Sequence, residues 1–521
     1  MRYDVVRYVV GQTLRIISVP FLLAMLGNLA FALNDPDFES YPVAAFAAPG
    51  AIALIAGTML SKGVDADEIE QRIRDREAFA SVGLGWLVIV LIGTLPYWLG
   101  GVFHGPFSDA SITEVSHGFV YSLFESMAGF TTTGATVIDA SSTPLCDNNT
   151  VDCIAGLHPS ILVYRSATQW LGGMGVIMLG LLIFSRSVGG GGMSLARAEL
   201  TGPTVSPTGL TFQSTARILW MVFVALTLIE FVLLVRFTPL DAFEAINISL
   251  TTIATGGMTP TDGGIGGFDS ATLESILIFF MFISGLNFAA LYLIAVKGQF
   301  NEIKDEEMRN YAILWVSTIA MVSTFLAYEG LPIDESVRGA AFTITSIITS
   351  TGYSTADWGS WQLFPKLIIL ILMAIGATAG STSGGLKVMR ATMLLKIARR
   401  EIMTIMQPKR VVPIRLNGAV VDERRVSLAL GMISAWILLC AFSILLISIT
   451  DPGIDLESAI SVVFSMLGNT GPALGSYGPS FTYAGMSVPG LIGSSVLMWL
   501  GRLEIFTVLI LFNLRLWSRS D

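Results

Sequence analysis

The chain has 521 residues, of which 53% are hydrophobic and only 13% charged, with a net charge of −9. Soluble domains carry roughly a quarter charged residues, so this balance excludes a water-soluble fold and implies an all-α polytopic membrane protein. Apolar runs long enough to span a hydrocarbon core of ~30 Å fall at about 14–33, 43–61, 79–101, 160–184, 214–236, 271–296, 309–328, 362–402 (interrupted), 425–450 and 487–515.

The first run imitates a signal peptide, with Arg2, Arg7 and Arg15 ahead of Ala30-Phe31-Ala32. It is long for such a segment, and a retained helix is expected. Charges between the runs set the orientation. Lys62, Arg72, Arg74 and Arg76 follow the second run, Arg186 and Arg197 the fourth, and Lys297, Lys304 and Arg309 the sixth. The loop after the eighth is the most basic, from Lys387 through Arg399, Arg400, Lys409, Arg410 and Arg415 to Arg425. Loops 102–160 and 451–487 hold no Lys or Arg. The positive-inside rule then places both termini in the cytoplasm of a multi-pass cell-membrane protein. Acidic residues such as Asp109, Glu114, Asp152, Asp262 and Asp455 fall on the outward loops. Two compatible readings follow: a cation-concentrating vestibule or a surface adapted to high salt. Cys146 and Cys153 share one outward loop and can form a disulfide there. Cys440 lies within a span and reads as packing. Asn148-Asn149-Thr150 is a weak glycosylation sequon.

After two leading helices (1–78), the chain divides into four units of helix, re-entrant hairpin and helix: 79–213, 214–308, 309–424 and 425–521. Each hairpin carries a glycine in register. The segments are Thr131-Thr132-Thr133-Gly134, Ala254-Thr255-Gly256-Gly257, Thr349-Ser350-Thr351-Gly352 and Gly468-Asn469-Thr470-Gly471. The residue two before the glycine is polar in all four, and the residue before it carries a hydroxyl in three, with Gly256 the exception. About a dozen residues precede each hairpin, at His117–Phe130, Leu240–Ile253, Glu335–Ile348 and Leu456–Leu467. These are too short to span and suit half-helices that enter from outside and turn back. Four-fold repetition predicts a pseudo-four-fold axis, and a pore on it.

Such half-helices direct their partially negative C-terminal ends to the membrane centre, and the following carbonyls can replace an ion's water shell. Glycine supplies the backbone angles that this needs. Hydroxyls at Thr132, Thr133, Ser350, Thr351 and Thr470 would add neutral oxygens and brace the loops. Without a carboxylate at these positions, a monovalent ion is favoured over calcium or magnesium. The competing reading is that the glycines serve only close helix packing, which does not require the polar positions to repeat.

The eighth run is broken by Ala377-Thr378-Ala379-Gly380-Ser381-Thr382-Ser383-Gly384-Gly385-Leu386-Lys387. Leu386 stands where a phosphate-binding loop needs Lys, and no strand precedes it, so nucleotide binding is rejected. A gating loop across the pore is the functional reading and a helix kink the alternative. Arg502, inside the last run, reads either as a positive barrier in the pathway or as a structural partner of Glu504. Arg165 reads as structural. His104, His117 and His158 are all outward with no metal-ligand spacing, which argues against an intramembrane enzyme.

Several segments together resemble the TrkH branch of the Trk/Ktr/HKT superfamily of potassium transporters. They are Phe130 to Ala135, Gln169-Trp170-Leu171-Gly172-Gly173-Met174-Gly175, Gly192-Met193 through Ala198 to Pro203, Gly380 to Val388, Asn469 to Pro472, and Gly501-Arg502-Leu503-Glu504. The resemblance covers essentially the whole chain. It implies K⁺ binding by Thr132, Thr133, Gly134, Thr255, Gly256, Gly257, Ser350, Thr351, Gly352, Asn469, Thr470 and Gly471. It also implies a gate formed by Gly380, Ser381, Thr382, Ser383, Gly384, Gly385 and Lys387 with Arg502. A homodimer and a cytoplasmic ring of TrkA-like nucleotide-binding subunits are further implications. Gly134 matches K⁺-selective members, whereas Na⁺-selective relatives often carry Ser there; Gly256 and Met258 make the second hairpin the least typical. No cofactor beyond transported K⁺ and no nucleic-acid partner is expected. K⁺ symport with H⁺ or Na⁺ is the alternative to channel-like uptake.

Overall fold

The computed structural model describes residues 3–34, 41–63, 75–146, 152–185, 212–300 and 304–512. The Asn148 sequon and the segment from Gly192 to Pro203 lie outside the described residues. Long apolar stretches become helices because only a helix satisfies every backbone donor and acceptor within its own segment. Two of them, α1 (Tyr3–Asn34) and α2 (Val43–Ser61), lead the chain. α1 starts well before the predicted residue 14.

Four units of similar build follow. The first contains α3 (Asp75–Gly93), α4 (Leu95–Leu99), α5 (Ile112–Phe130) and α6 (Pro159–Ser185). The second contains α7 (Phe212–Phe237), α8 (Ala242–Ile253), α9 (Ala271–Ser284) and α10 (Phe288–Ala295). The third contains α11 (Glu306–Tyr328), α12 (Ile333–Ile348), α13 (Leu363–Ala374) and α14 (Val388–Met406). After an antiparallel hairpin of β1 (Arg415–Leu416) and β2 (Ala419–Val420) come α15 (Glu423–Thr450), α16 (Leu456–Gly468), α17 (Val488–Arg502) and α18 (Ile505–Leu509). Among the described residues, six helices are long and apolar enough to cross a membrane, or up to eight if each bent pair is one span.

The helices that lead into the four hairpins, α5, α8, α12 and α16, have 19, 12, 16 and 13 residues, so α5 and α12 start earlier, at Ile112 and Ile333, than the expected His117 and Glu335; three of the four are capped by side chains. Ser111 with Glu114 and Asp241 with Glu244 form capping boxes on α5 and α8. Asp455 accepts the Ser458 amide at the head of α16. These caps satisfy amides that the helix itself leaves free.

Two predicted spans prove to be broken. The run 271–296 turns by 104° between α9 and α10, and the run 487–515 turns by 114° between α17 and α18. At the first break the freed groups are taken up by the segment between α13 and α14. The Thr378 amide and hydroxyl both donate to the Gly285 carbonyl, and the Phe288 amide donates to the Gly380 carbonyl. Asn287 caps the new helix start by accepting the Ala289 and Ala290 amides. At the second break Glu504 takes a positive φ of 57° and pairs with Arg390 at 2.9 Å. The first bend therefore packs on the non-helical segment 375–387, and the second is tied to α14 just beyond it.

Candidate functional site

The C-terminal ends of α5, α8, α12 and α16 share one stop. Thr132, Thr255, Ser350 and Asn469 adopt left-handed backbone at φ 52°, 53°, 54° and 52°. The amide of the next residue reaches back five positions in every unit: Thr133 to Ala128, Gly256 to Thr251, Thr351 to Ser346 and Thr470 to Ser465, at 2.8–2.9 Å. This is the Schellman closure, usually built on glycine. The chain then rises through Gly134, Gly257, Gly352 and Gly471, again at positive φ.

These four glycines close a ring. A Cβ placed on Gly134 would collide with the Gly256 carbonyl oxygen, one on Gly257 with that of Thr351, one on Gly352 with that of Thr470, and one on Gly471 with that of Thr133. Each hairpin thus seats against the next, in the order first, second, third, fourth and back to first. The twelve residues of the four hairpins lie together, and all four glycines line one cavity of about 560 Å³ with Asp139 and Asp262 at its sides.

The hydroxyls are divided between tasks. Thr133 is paired with Thr131 at 2.8 Å and receives Asn469 Nδ2 at 3.0 Å, and Thr351 is paired with Thr349 at 2.8 Å. The Ser350 hydroxyl donates to Ser383 at 3.1 Å and accepts the Gly384 amide at 2.7 Å. Only Thr132 and Thr470, of the five predicted oxygens, have buried hydroxyls with no hydrogen-bond partner among the described residues.

Segment 375–387 lies against the hairpin stops. Thr382 accepts from the Thr255 hydroxyl at 3.2 Å and donates to the Ile253 carbonyl at 3.2 Å. Gly384 meets Gly468 and Asn469 so closely that a Cβ would not fit. Gly380 and Gly385 sit at φ 78° and 71°, Ser381 donates to the Thr378 carbonyl at 2.7 Å, and Lys387 Nζ donates to the Ser383 carbonyl. Arg502, 4% exposed, donates to the Thr382 carbonyl at 2.6 Å and the Gly172 carbonyl at 3.3 Å. Its expected alternative partner, Glu504, is engaged with Arg390 instead.

A family model described as TrkH, a cation transport protein, matches residues 43–520. The chain belongs to the TrkH family. That family comprises cation transport proteins and not enzymes. The Trk system potassium uptake protein TrkH of Halomonas elongata is 32% identical over 519 residues, 98% of each chain. Its namesake from Escherichia coli K12 is 33% identical over 471 residues, 89% of this chain and 90% of that one. The crystal structure of the potassium transporter TrkH from Vibrio parahaemolyticus superposes with a TM-score of 0.82 at 28% identity, covering 99% of this chain and all 100% of that one.

In this TrkH-family chain the seams between hairpins are fastened by side chains outside the repeated motif, among them Arg165, which the sequence marks as structural. Gln169 of α6 donates to the Gly256 carbonyl at 2.6 Å and accepts the Met258 amide at 3.1 Å. A Cβ at Gly256 would fall on the Gln169 carboxamide, which explains why this hairpin alone lacks a hydroxyl there. Arg165 and Glu125, 2% and 0% exposed, lie 3.5 Å apart. Glu125 accepts the Val137 amide and Arg165 donates to the Thr259 carbonyl, so the pair pins the strands leaving hairpins one and two. The Tyr353 hydroxyl meets Thr251 and Thr252 of α8, and Tyr483 donates to the Gly471 carbonyl. Above them, Cys146 and Cys153 are disulfide-bonded, and the amides of Cys153 and Ile154 donate to Asp262. Burial raises the Asp262 carboxyl above its ordinary range, against those two amides.

Glu230 of α7 is missing from the sequence reading. It is fully buried, with the Thr252 side chain beside it. A single Glu inside an apolar run was the available signal. For Gln169, replacement by Ala should leave the Gly256 carbonyl and Met258 amide unpaired. Each costs about 1–3 kcal/mol, to be read as a lowered thermal unfolding midpoint in detergent, with Gln169→Glu also destabilised for want of a donor.

Proposed function

We propose that this protein is a potassium uptake pathway in which the four hairpins select K⁺ and segment 375–387, with Lys387 and Arg502, gates the flux. The closed ring of glycines against carbonyls is the observation that carries this reading. It gathers uncharged oxygens at the C-terminal ends of four helices, a setting that suits a dehydrated monovalent cation. The names of the full-length relatives, potassium uptake proteins of the Trk system, support the choice of ion.

In this reading the 560 Å³ cavity is the outward vestibule, and the basic side with both termini is cytoplasmic. The chain works in the cell membrane as a homodimer beside TrkA-like nucleotide-binding subunits. One charge crossing 100 mV releases about 2.3 kcal/mol, and about 1.4 kcal/mol is tenfold. The membrane potential therefore suffices for K⁺ accumulation of several tens-fold without ATP hydrolysis in this chain.

Glu230 favours a second reading, K⁺ movement coupled to H⁺. A buried carboxyl at membrane depth is a natural proton-binding group. Simultaneous K⁺ and pH recordings in liposomes separate the two: proton movement that follows K⁺ and disappears in Glu230→Gln supports coupling, and K⁺ flux without it supports the channel.

Serine at Gly134 places a side chain against the Gly256 carbonyl at a backbone angle that it resists. Strain of about 1–3 kcal/mol distorts the hairpin, and each ~1.4 kcal/mol of it that differs between bound K⁺ and bound Na⁺ changes their relative binding tenfold. Gly134→Ser should shift the reversal potential in mixed K⁺ and Na⁺ toward that for Na⁺, and an unchanged potential would remove the selectivity assignment. Arg502→Ala deletes a charged hydrogen bond worth about 1.5–3 kcal/mol. Basal K⁺ flux should rise roughly tenfold or more; flux at or below that of the unaltered protein would end the gating assignment.

A further inference from the structure

One carboxylate holds both stems of segment 375–387. Glu307, in the first turn of α11 and 7% exposed, accepts the Ala379 amide at 2.8 Å and the Met389 amide at 3.2 Å, both on Oε1. Ala379 lies early in the segment, and Met389 begins α14 just after it. The N-cap of α14 is Lys387, whose side chain makes no capping bond. Glu307 therefore caps α14 from another helix, its carboxyl oxygen taking one of the amides that the helix start leaves free.

The residues just before Glu307 are gripped by the β1–β2 hairpin. Asn417, at its tip, donates from Nδ2 to Asp305 at 2.7 Å and accepts the Glu306 amide on Oδ1 at 2.7 Å. Its own amide donates to Glu306 at 3.1 Å. Lys396 of α14 pairs with Glu306 and donates to the Arg415 carbonyl. Ile414 and Leu416 beside the tip share an apolar cluster with Met389 and Met393. Asp305 and Glu306 thus face the hairpin while the next residue holds the segment. Because Asp305, Glu306 and Glu307 are consecutive, a displacement of the hairpin bears directly on the turn that carries Glu307.

We propose that this turn is a latch: movement of the Arg415–Val420 hairpin on the inward face withdraws the Glu307 carboxylate and frees both stems of the gate together. Glu307 is a positioning residue that acts through the segment and touches no ion. The proposal rests on reading 375–387 as the gate.

Tracer K⁺ flux and K⁺-over-Na⁺ selectivity of the full chain in liposomes test it. A buried amide left without its acceptor costs about 1–3 kcal/mol. Glu307→Ala should accordingly raise basal flux about tenfold, and Glu307→Gln, which keeps an acceptor without the charge, should fall between. Asn417→Ala, which only unseats the hairpin, should also raise flux. The double variant should match Glu307→Ala alone, because the two act in series. Selectivity should stay unchanged in all of them, which general loosening of the fold would not allow. Should Glu307→Ala fail to fold, Glu307→Gln and Asn417→Ala with their double variant decide by the same comparison. Flux at the unaltered level in these variants, or additive effects, overturns the latch while leaving the gate if Arg502→Ala still leaks. If Arg502→Ala does not leak, the gate reading falls and the latch falls with it.

Discussion

The arrangement depends on one contact made four times: a glycine of one hairpin resting where a side chain would strike the carbonyl of the next. The contact is short because it is bare backbone against bare backbone, and it is cyclic because every unit both offers a glycine and receives one. A Cβ at any of the four positions would wedge two units apart. The left-handed residues Thr132, Thr255, Ser350 and Asn469 make the contact possible by ending each helix abruptly. Non-glycine residues resist that conformation; each stop is closed by the next residue's amide bonding back into its helix, while Gln169, Arg165, Tyr353 and Asn469 fasten adjoining units beside the stops.

The segment between α13 and α14 occupies the other side of the same stops. Its hydrogen bonds to Thr255 and Ser350 tie it to two of the four. Ion selection and gating in the proposed pathway therefore share residues: Ser350 and Thr255 sit in the hairpins and also hold the segment. The two sharply bent helix pairs both meet this region. At Gly285 the segment takes, through Thr378, a backbone carbonyl that an unbroken helix would have kept, and just past the second break Glu504 pairs with Arg390 on the segment's flank.

How far this was legible in the sequence follows from range. The hairpins announced themselves because a local pattern recurs four times, and the helical, polytopic class followed from composition. The interruption near Gly380 was visible as small polar residues inside an apolar run. The bends at 285–287 and 503–504 were not, since their causes lie on a segment about a hundred residues away in sequence. Gly256 looked like a defect of the pattern until Gln169 proved to fill the space. Hydroxyls that repeat in register looked equivalent, yet Ser350 turns to the segment while its counterpart Thr132 has no partner among the described residues. Such partners are tertiary, and no periodicity encodes them.

The seam between the fourth and first hairpins has a consequence for how the molecule is made. Asn469 reaches Thr133 across 336 residues of chain, and the Thr133 carbonyl meets Gly471 there. As the polypeptide emerges from its N-terminal end, three quarters of the circle can be laid down while its final quadrant is still unsynthesised. Until that quadrant inserts, the exposed oxygens of the first hairpin have no neighbour to seat against. Closure of the ring is thus its last step, because the fourth hairpin is the last to be made.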